Sequence, residues 1–175
     1  MITLEDVQKA ARLIEGKVIR TPLVRSPTFS RMVGADVYLK LESLQKGGSF
    51  KVRGATYKVL SRRGEISPAG VVAASAGNHA QGVALAAKAA DLPATIVMPV
   101  WASIGKQEAT RGYGAEVILA GETLAESISV AQDMADDGRT FIHPYDDEEI
   151  ITGQATIGLE ILEDLLDPDV VIVPI

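Results

Sequence analysis

Residues 71–82 decide the fold class: they read VVAASAGNHAQG, an apolar run that ends in small and polar residues before a helical pattern begins. Such short apolar runs, rich in β-branched residues, suit the strands of a parallel sheet that is covered on both faces. Similar runs recur at 95–98, 116–119 and 170–173, and an alternating run at 37–41 predicts a half-buried strand. Helices are predicted between them, at about 50–61, 78–90, 103–112, 122–137 and 147–166. The alternation predicts an α/β fold with right-handed crossovers.

Two polar segments predict how the chain divides into domains. One is 61–68, SRRGEISP, and the other is 143–147, HPYDD, where Pro144 discourages a helix and Asp146 is a candidate cap for the next one. We therefore expect part of a larger domain at 1–67, a small βαβ domain at 68–145, and a return to the larger domain at 146–175.

The end of the sequence also carries an expectation. The predicted strand 170–173 is followed by Pro174 and Ile175 and by nothing further. Ligands of α/β proteins bind beyond the carboxyl ends of strands, so we expect a truncated half that stops where a binding loop would follow. An open sheet edge exposes apolar surface, which predicts a homo-oligomer or a complementary C-terminal half as partner.

Composition argues against several kinds of site and partner. The 175 residues carry a net charge of −6, which argues against nucleic acid and anionic membranes, and no cysteine, which excludes disulfides and thiol nucleophiles. The two histidines lie far apart without paired carboxylates, so we expect no metal site. The N-terminus lacks the apolar run of a signal peptide, and no stretch reaches the roughly 18 apolar residues of a membrane span. We expect a cytoplasmic protein.

The segment 49–55, SFKVRGA, is the first candidate for chemistry. Ser49 is a good N-cap, which places Lys51 and Arg53 in the first turn of a helix, where the macrodipole disfavours each cation by roughly 0.3–1 kcal/mol. The same field, together with partial burial, would lower the pKa of Lys51 and leave more free amine for Schiff-base formation. The alternative interpretation is a solvated surface lysine at an ordinary helix start, and spacing alone leaves both open.

The segment 75–82, SAGNHAQG, is the second candidate. Gly77 permits a tight turn and Ser75 or Asn78 can cap the helix, whose free N–H groups would bind a carboxylate or phosphate. The alternative is an ordinary turn between a strand and a helix. His79 is a candidate acid–base residue or a structural one, and His143 is a weaker candidate.

Together the two segments resemble fold-type II pyridoxal-phosphate (PLP) enzymes of the threonine dehydratase family. The resemblance continues in 144–147, 153–161 and 171–175, so it spans essentially the whole chain. It covers about the first half of the family's catalytic domain and implies a three-layer architecture with parallel sheets. In the family, a glycine-rich loop for the cofactor phosphate follows the last of these motifs, and this sequence does not contain that loop.

The resemblance implies a role for each matching residue. Lys51 forms the Schiff base with the cofactor and acts as general base, Phe50 packs against the cofactor ring, and Asn78 hydrogen-bonds the 3-oxygen of that ring. The loop implied to hold the substrate carboxylate consists of Ser75, Ala76, Gly77, Asn78 and His79. The implied reaction is deamination of L-threonine to 2-oxobutanoate and ammonia by α,β-elimination, within amino-acid metabolism such as isoleucine biosynthesis.

Three alternatives to this reaction stay open. Similar serine racemases carry a second serine where this sequence has Ala76, which has no proton to give, so Ala76 favours a dehydratase. A serine dehydratase is compatible, because one methyl group is worth only about 1–3 kcal/mol of discrimination. The third is a non-catalytic fragment that is unable to hold the cofactor.

Overall fold

The computed structural model describes residues 1–173 as a parallel sheet, a separate pair of short strands and helices around them. The helices are α1 (Leu4–Ile14), α2 (Pro27–Val33), α3 (Lys51–Ser61), α4 (Asn78–Ala89), α5 (Ile104–Gly112), α6 (Leu124–Asp136) and α7 (Glu148–Asp164). The strands are β1 (Leu23–Arg25), β2 (Tyr38–Lys40), β3 (Val71–Ala74), β4 (Ala94–Met98), β5 (Glu116–Leu119) and β6 (Thr140–Phe141).

The parallel sheet has the strand order β5-β4-β3-β6. Val71 pairs with Ala94 on one side and with Thr140 on the other, and Thr95 pairs with Glu116. β1 and β2 form a separate antiparallel pair in which Leu23 lies opposite Lys40. Because parallel strands place their carboxyl ends at one edge, the loops after β3, β4 and β5 lie side by side.

Both faces of the parallel sheet are covered, as the sequence predicted. Val71 and Ala73 of β3 face α4, where Val83 is one of several fully buried residues. Val72 and Ala74 of β3 face the opposite way, toward α6. This period of two is the alternation of side chains in any β-strand, and helices on both faces explain why β3 is apolar throughout. The predicted α/β class is confirmed.

Each helix that the sequence predicted is present and begins or ends within two residues of its predicted bounds. The elements missed are α1, α2, β1 and β6. A capping box was available as a signal for α1, because the Thr3 and Asp6 side chains each accept from the other residue's backbone N–H. Likewise, Ser26 caps α2 directly before Pro27, a residue that favours the first helical position.

The strand predicted at 170–173 is wrong. These residues have no strand conformation, and Ile172 is 88% exposed. A strand needs backbone partners, and no strand within residues 1–173 pairs with this segment. Pro174 and Ile175, which the same prediction included, lie outside the described residues.

Helix α3 packs between α4 and α7 through glycines. A Cβ atom at Gly153 of α7 would lie 2.6 Å from the Cα of Gly54, and one at Gly54 would lie 2.6 Å from the carbonyl oxygen of Ile150. The backbones therefore touch directly, which no larger residue would allow. Since α3 precedes residue 68 and α4 follows it, this packing crosses the predicted domain boundary, and the division into 1–67, 68–145 and 146–175 stays a prediction.

Candidate active site

The start of α3 lies against α4 because Gly82 leaves room for it. A Cβ atom at Gly82 would lie 3.0 Å from the carbonyl carbon of Lys51 and 3.1 Å from the backbone nitrogen of Val52. Asn78 precedes Gly82 by one helical turn, and residues four apart share a face of a helix. The fold therefore brings together Lys51 and the loop 75–79, the two segments that the sequence analysis singled out.

The side chain of Lys51 is half-buried and hydrogen-bonded. Its Nζ donates to the carbonyl oxygen of Pro144 at 2.9 Å and lies 5.3 Å from the centre of the Phe50 ring. Burial lowers the pKa of Lys51, in the direction that the sequence predicted, and this raises the fraction of free amine. A freely solvated surface lysine, the alternative interpretation, does not fit this environment.

Arg53, the second cation of the segment, is buried in a network of ion pairs. It is 0% exposed and is bound by Glu42 at 2.7 Å and by Glu160 at 2.6 Å. Burial alone would lower the pKa of Arg53, but hydrogen bonds to the two carboxylates more than offset it, so the pKa is raised. Lys40 pairs with Glu160 at 2.5 Å in the same network. Arg53 therefore fastens the start of α3 to α7 and to the segment after β2.

The capping predictions around the site are partly wrong. The Ser49 hydroxyl does accept from the backbone N–H of Lys51, at 3.4 Å, although Phe50 is the residue directly before the helix. At α7 the cap is Asp147, which accepts from the N–H of Ile150 at 3.0 Å, and not Asp146. The sequence offered two adjacent aspartates, and only the backbone conformation distinguishes them, because the cap must be extended.

Helix α4 begins without a capping side chain among residues 1–173. The prediction that Ser75 or Asn78 caps it is wrong, since the Ser75 hydroxyl accepts from the N–H of Gly77 at 3.1 Å and Asn78 is bonded elsewhere. The first N–H groups of α4 are therefore left for a ligand, and the positive end of the helix dipole favours a carboxylate or phosphate. Ala76, in the same loop, is half-buried against the core.

Lys106 is a residue of the site that the sequence analysis missed. Its Nζ donates to Oδ1 of Asn78 at 2.5 Å and to Oε1 of Gln81 at 3.4 Å. It lies in the first turn of α5, where the macrodipole disfavours a cation. A lysine at this unfavourable position of a predicted helix could have indicated Lys106 from sequence, as it did Lys51.

His79 is buried and neutral, as the structural interpretation of this residue requires. Its Nε2 lies 3.1 Å from the carbonyl oxygen of Ile142, and the residue is 4% exposed. Burial, together with the nearby charge of Lys51, lowers the pKa of His79 to about 4, although the hydrogen bond to Ile142 acts in the opposite direction. The Nδ1 atom is buried with no partner among residues 1–173. His79 anchors the start of α4 to the segment after β6.

His143 shapes the turn that presents the Pro144 carbonyl group to Lys51. Its Nδ1 accepts from the backbone N–H of Asp146 at 2.8 Å and of Tyr145 at 3.3 Å. A ring nitrogen that accepts carries no proton, so the proton of the neutral ring is on Nε2. His143 thus has a structural role, because it shapes the turn whose Pro144 carbonyl oxygen accepts the hydrogen bond from Lys51.

The arrangement combines features that suit PLP. Lys51 offers an amine with a lowered pKa, Phe50 offers an aromatic ring on a residue that is 37% exposed, and the uncapped start of α4 offers anion-binding N–H groups. The amide of Asn78 adds a neutral hydrogen-bond donor beside them. An amine, an aromatic face and anion-binding groups match an aldehyde-bearing aromatic ring with anionic substituents, so the residues present fit this cofactor.

Residues 1–173 offer neither a metal cluster nor a membrane-spanning helix. No group of three or more histidine, aspartate or glutamate side chains is placed to hold a metal ion within that range. No helix in the same range is long and apolar enough to cross a membrane.

Comparison with protein families and curated proteins relates the chain to PLP enzymes. The family model described as pyridoxal-phosphate dependent enzyme matches residues 14–175. An L-threonine ammonia-lyase of Thermotoga maritima is 51% identical over the whole chain, which covers 44% of that protein. A catabolic L-threonine dehydratase of Staphylococcus aureus is 48% identical, and the chain covers 51% of it. The chain thus spans about half the length of the curated relatives that it matches.

Solved structures show the same relationship. A threonine deaminase from T.th. superposes with a TM-score of 0.84 at 42% identity, over 93% of this chain and 51% of that one. A PLP-dependent aspartate racemase gives 0.90 at 39% identity, over 96% and 53% of the two chains. The serine racemase of Dictyostelium discoideum gives 0.88 at 36% identity, over 96% and 55%.

Proposed function

Because the chain belongs to the pyridoxal-phosphate-dependent enzyme family, we propose that it supplies the Schiff-base lysine, Lys51, of an enzyme that deaminates L-threonine to 2-oxobutanoate and ammonia. The observation that carries the proposal is the placement of a half-buried Lys51, with a lowered pKa, against the uncapped start of α4. The names of the two curated relatives support threonine as the substrate.

Each residue of the site has a role in this proposal. When bound, PLP supplies an electron sink for the charge that develops at the substrate's α-carbon. Lys51 binds the cofactor and then moves the α-proton at Nζ, which its lowered pKa favours. Phe50 packs against the ring, and Asn78 donates to the oxygen on the ring.

The substrate is held by the loop between β3 and α4. The backbone of Ser75, Gly77 and His79 surrounds the uncapped start of α4, where a carboxylate is favoured by the N–H groups and the dipole. His79 itself is buried and neutral, so it positions the loop and does not transfer a proton.

A racemase of serine or aspartate is the second candidate, because racemases are among the similar structures. Racemisation needs a group that protonates the opposite face of the α-carbon, and the methyl side chain of Ala76 cannot do so. Ala76 therefore supports elimination. A serine dehydratase uses the same residues, and one methyl group of substrate changes the specificity by only about 1–3 kcal/mol.

The remaining parts of the proposal concern the whole protein. The apolar side chains exposed at 170–173 support contact with a complementary C-terminal half or a second copy. A cytoplasmic location belongs to the proposal as well. The name of the S. aureus relative points to threonine degradation, so isoleucine biosynthesis is one of two metabolic directions that we propose.

The proposal is tested by trapping the Schiff base. The 175-residue chain is mixed with PLP, reduced with borohydride and digested, and the pyridoxyl group is located by mass spectrometry. We expect Lys51 to be modified ahead of the exposed Lys88, and the total pyridoxyl incorporation to fall sharply in Lys51→Ala but little in Lys88→Ala. Equal labelling of both lysines would contradict the proposal.

A second measurement separates the enzyme from a non-catalytic fragment. We expect the chain alone to develop little stable visible absorbance with PLP and to release no ammonia from threonine. Mixing it with the complementary C-terminal half of the T. maritima relative should restore both, and should not do so with the Lys51→Ala chain. If the mixture releases no ammonia while Lys51 is still selectively trapped, the interpretation of the chain as a non-catalytic fragment is favoured.

A further inference from the structure

The side-chain amide of Asn78 has a fixed orientation because of what it contacts. Oxygen and nitrogen of an asparagine amide are nearly indistinguishable by shape, and their assignment rests on the hydrogen-bond partners. The partner here is the Nζ of Lys106, 2.5 Å away. A lysine ammonium group has three donors and no acceptor, so the atom of Asn78 that faces it must be Oδ1.

This orientation leaves the nitrogen of Asn78 free to donate. Among residues 1–173, Nδ2 of Asn78 has no acceptor, and the side chain lies at the exposed start of α4. Asn78 also shares a face of α4 with Gly82, which contacts the backbone of Lys51. An unused amide donor is therefore directed away from Lys106, on the face of α4 that packs against the backbone of Lys51.

Lys106 is itself held by two elements. It lies in the first turn of α5 and reaches α4, where Gln81, only 6% exposed, accepts a second bond from Nζ at 3.4 Å. Gln81 and Asn78 are three residues apart and so adjacent on α4. The cation bridges the two helices in spite of an unfavourable position in the field of α5.

We propose that Lys106 is a positioning residue for Asn78: it holds Oδ1 so that Nδ2 donates to an electron-rich oxygen on the cofactor ring. The inference rests on the proposed function for the identity of that oxygen, while the orientation of Asn78 does not depend on it. In this proposal Lys106 acts on the cofactor only through the amide of Asn78, to which its Nζ donates.

The sequence makes the orientation directly measurable, because Asn78 is its only asparagine. Labelling the chain with ¹⁵N-asparagine therefore gives a single side-chain amide signal pair in NMR spectra, without any cofactor. We compare Lys106→Met, which removes the donors, with Lys106→Arg, which keeps them. Lys88→Met is the control, since Lys88 is exposed and its side chain makes no hydrogen bond within the described residues.

The expected result is an ordered Asn78 amide in the unmodified chain, in Lys106→Arg and in Lys88→Met. In Lys106→Met we expect the order parameter of the amide to fall below about 0.6, the range of flexible groups. An unchanged order parameter in Lys106→Met, with backbone signals that show an intact fold, would overturn the inference.

Trapping of PLP on Lys51 by borohydride then connects the orientation to the cofactor. We expect Lys106→Met to be trapped about three- to tenfold less efficiently than Lys88→Met, the factor that one hydrogen bond typically contributes, and Lys106→Arg to recover most of it. Equal trapping in Lys106→Met and Lys88→Met would refute the link to the cofactor. If Lys51 is not trapped in the unmodified chain even after the complementary C-terminal half is added, the proposed function fails, and the NMR result decides the positioning role on its own.

Discussion

Replacing Gly153 by alanine tests whether the backbone contact between α3 and α7 holds the site together. The added Cβ would lie 2.6 Å from the Cα of Gly54 and 2.9 Å both from the carbonyl oxygen of Arg53 and from the Cβ of Tyr57. None of these atoms is the end of a flexible side chain, so the two helices must move apart. Gly158, on the same helix, is the matched control, because a Cβ there meets nothing within 4 Å.

The magnitude follows from two opposing contributions. Alanine in place of glycine inside a helix gains about 1 kcal/mol of propensity, and this gain is common to both variants. Overpacking typically costs about 1–3 kcal/mol, and the contact of Gly153 with main-chain atoms places it at about 2–3 kcal/mol. We therefore expect Gly153→Ala to be destabilised by about 1–2 kcal/mol, and Gly158→Ala to be stabilised by up to about 1 kcal/mol.

The assay is urea unfolding of both variants and the unmodified chain, followed by circular dichroism. The difference in unfolding free energy between the two alanine variants isolates the cost of the contact. Borohydride trapping at Lys51 should also weaken in Gly153→Ala, because α3 carries the lysine, and stay unchanged in Gly158→Ala. A Gly153→Ala chain as stable as Gly158→Ala would refute the reasoning.

Two further predictions concern buried charge. Arg53→Met should lower the free energy of unfolding by about 3–5 kcal/mol, because Glu42 and Glu160 lose their buried partner. The control, Arg12→Met on the surface, should change it by less than about 0.5 kcal/mol. Equal urea midpoints of the two variants would contradict this prediction. His79 has a pKa of about 4 in the folded chain and about 6.5 unfolded, so the unfolded chain takes up the proton first. The contribution of the neutral His79 to stability is complete above about pH 6.5 and is lost as the pH falls toward 4. An NMR titration of the His79 ring in the folded chain tests the lowered pKa, and a midpoint above about pH 6 would disprove it.

The regular elements around the parallel sheet were predictable from sequence because their signals are local. The apolar run at 71–74 is a strand, and the helices on either side keep close to their predicted bounds. Short elements escaped prediction, since β6 has only two residues and depends on pairing with β3. The run 170–173 shows the converse: strand-like residues form no strand without a neighbour to pair with.

The sequence by itself determined the α/β alternation, the family resemblance and the two segments that carry Lys51 and Asn78. It could not decide whether Lys51 is solvated, because burial depends on residues distant in the chain, among them Pro144. It also treated Lys51 and Arg53 alike, as cations at a helix start. Only the tertiary structure separates them. Arg53 meets buried carboxylates that balance its charge and raise its pKa, whereas Lys51 is bonded to a carbonyl oxygen and partly buried, and the burial lowers its pKa.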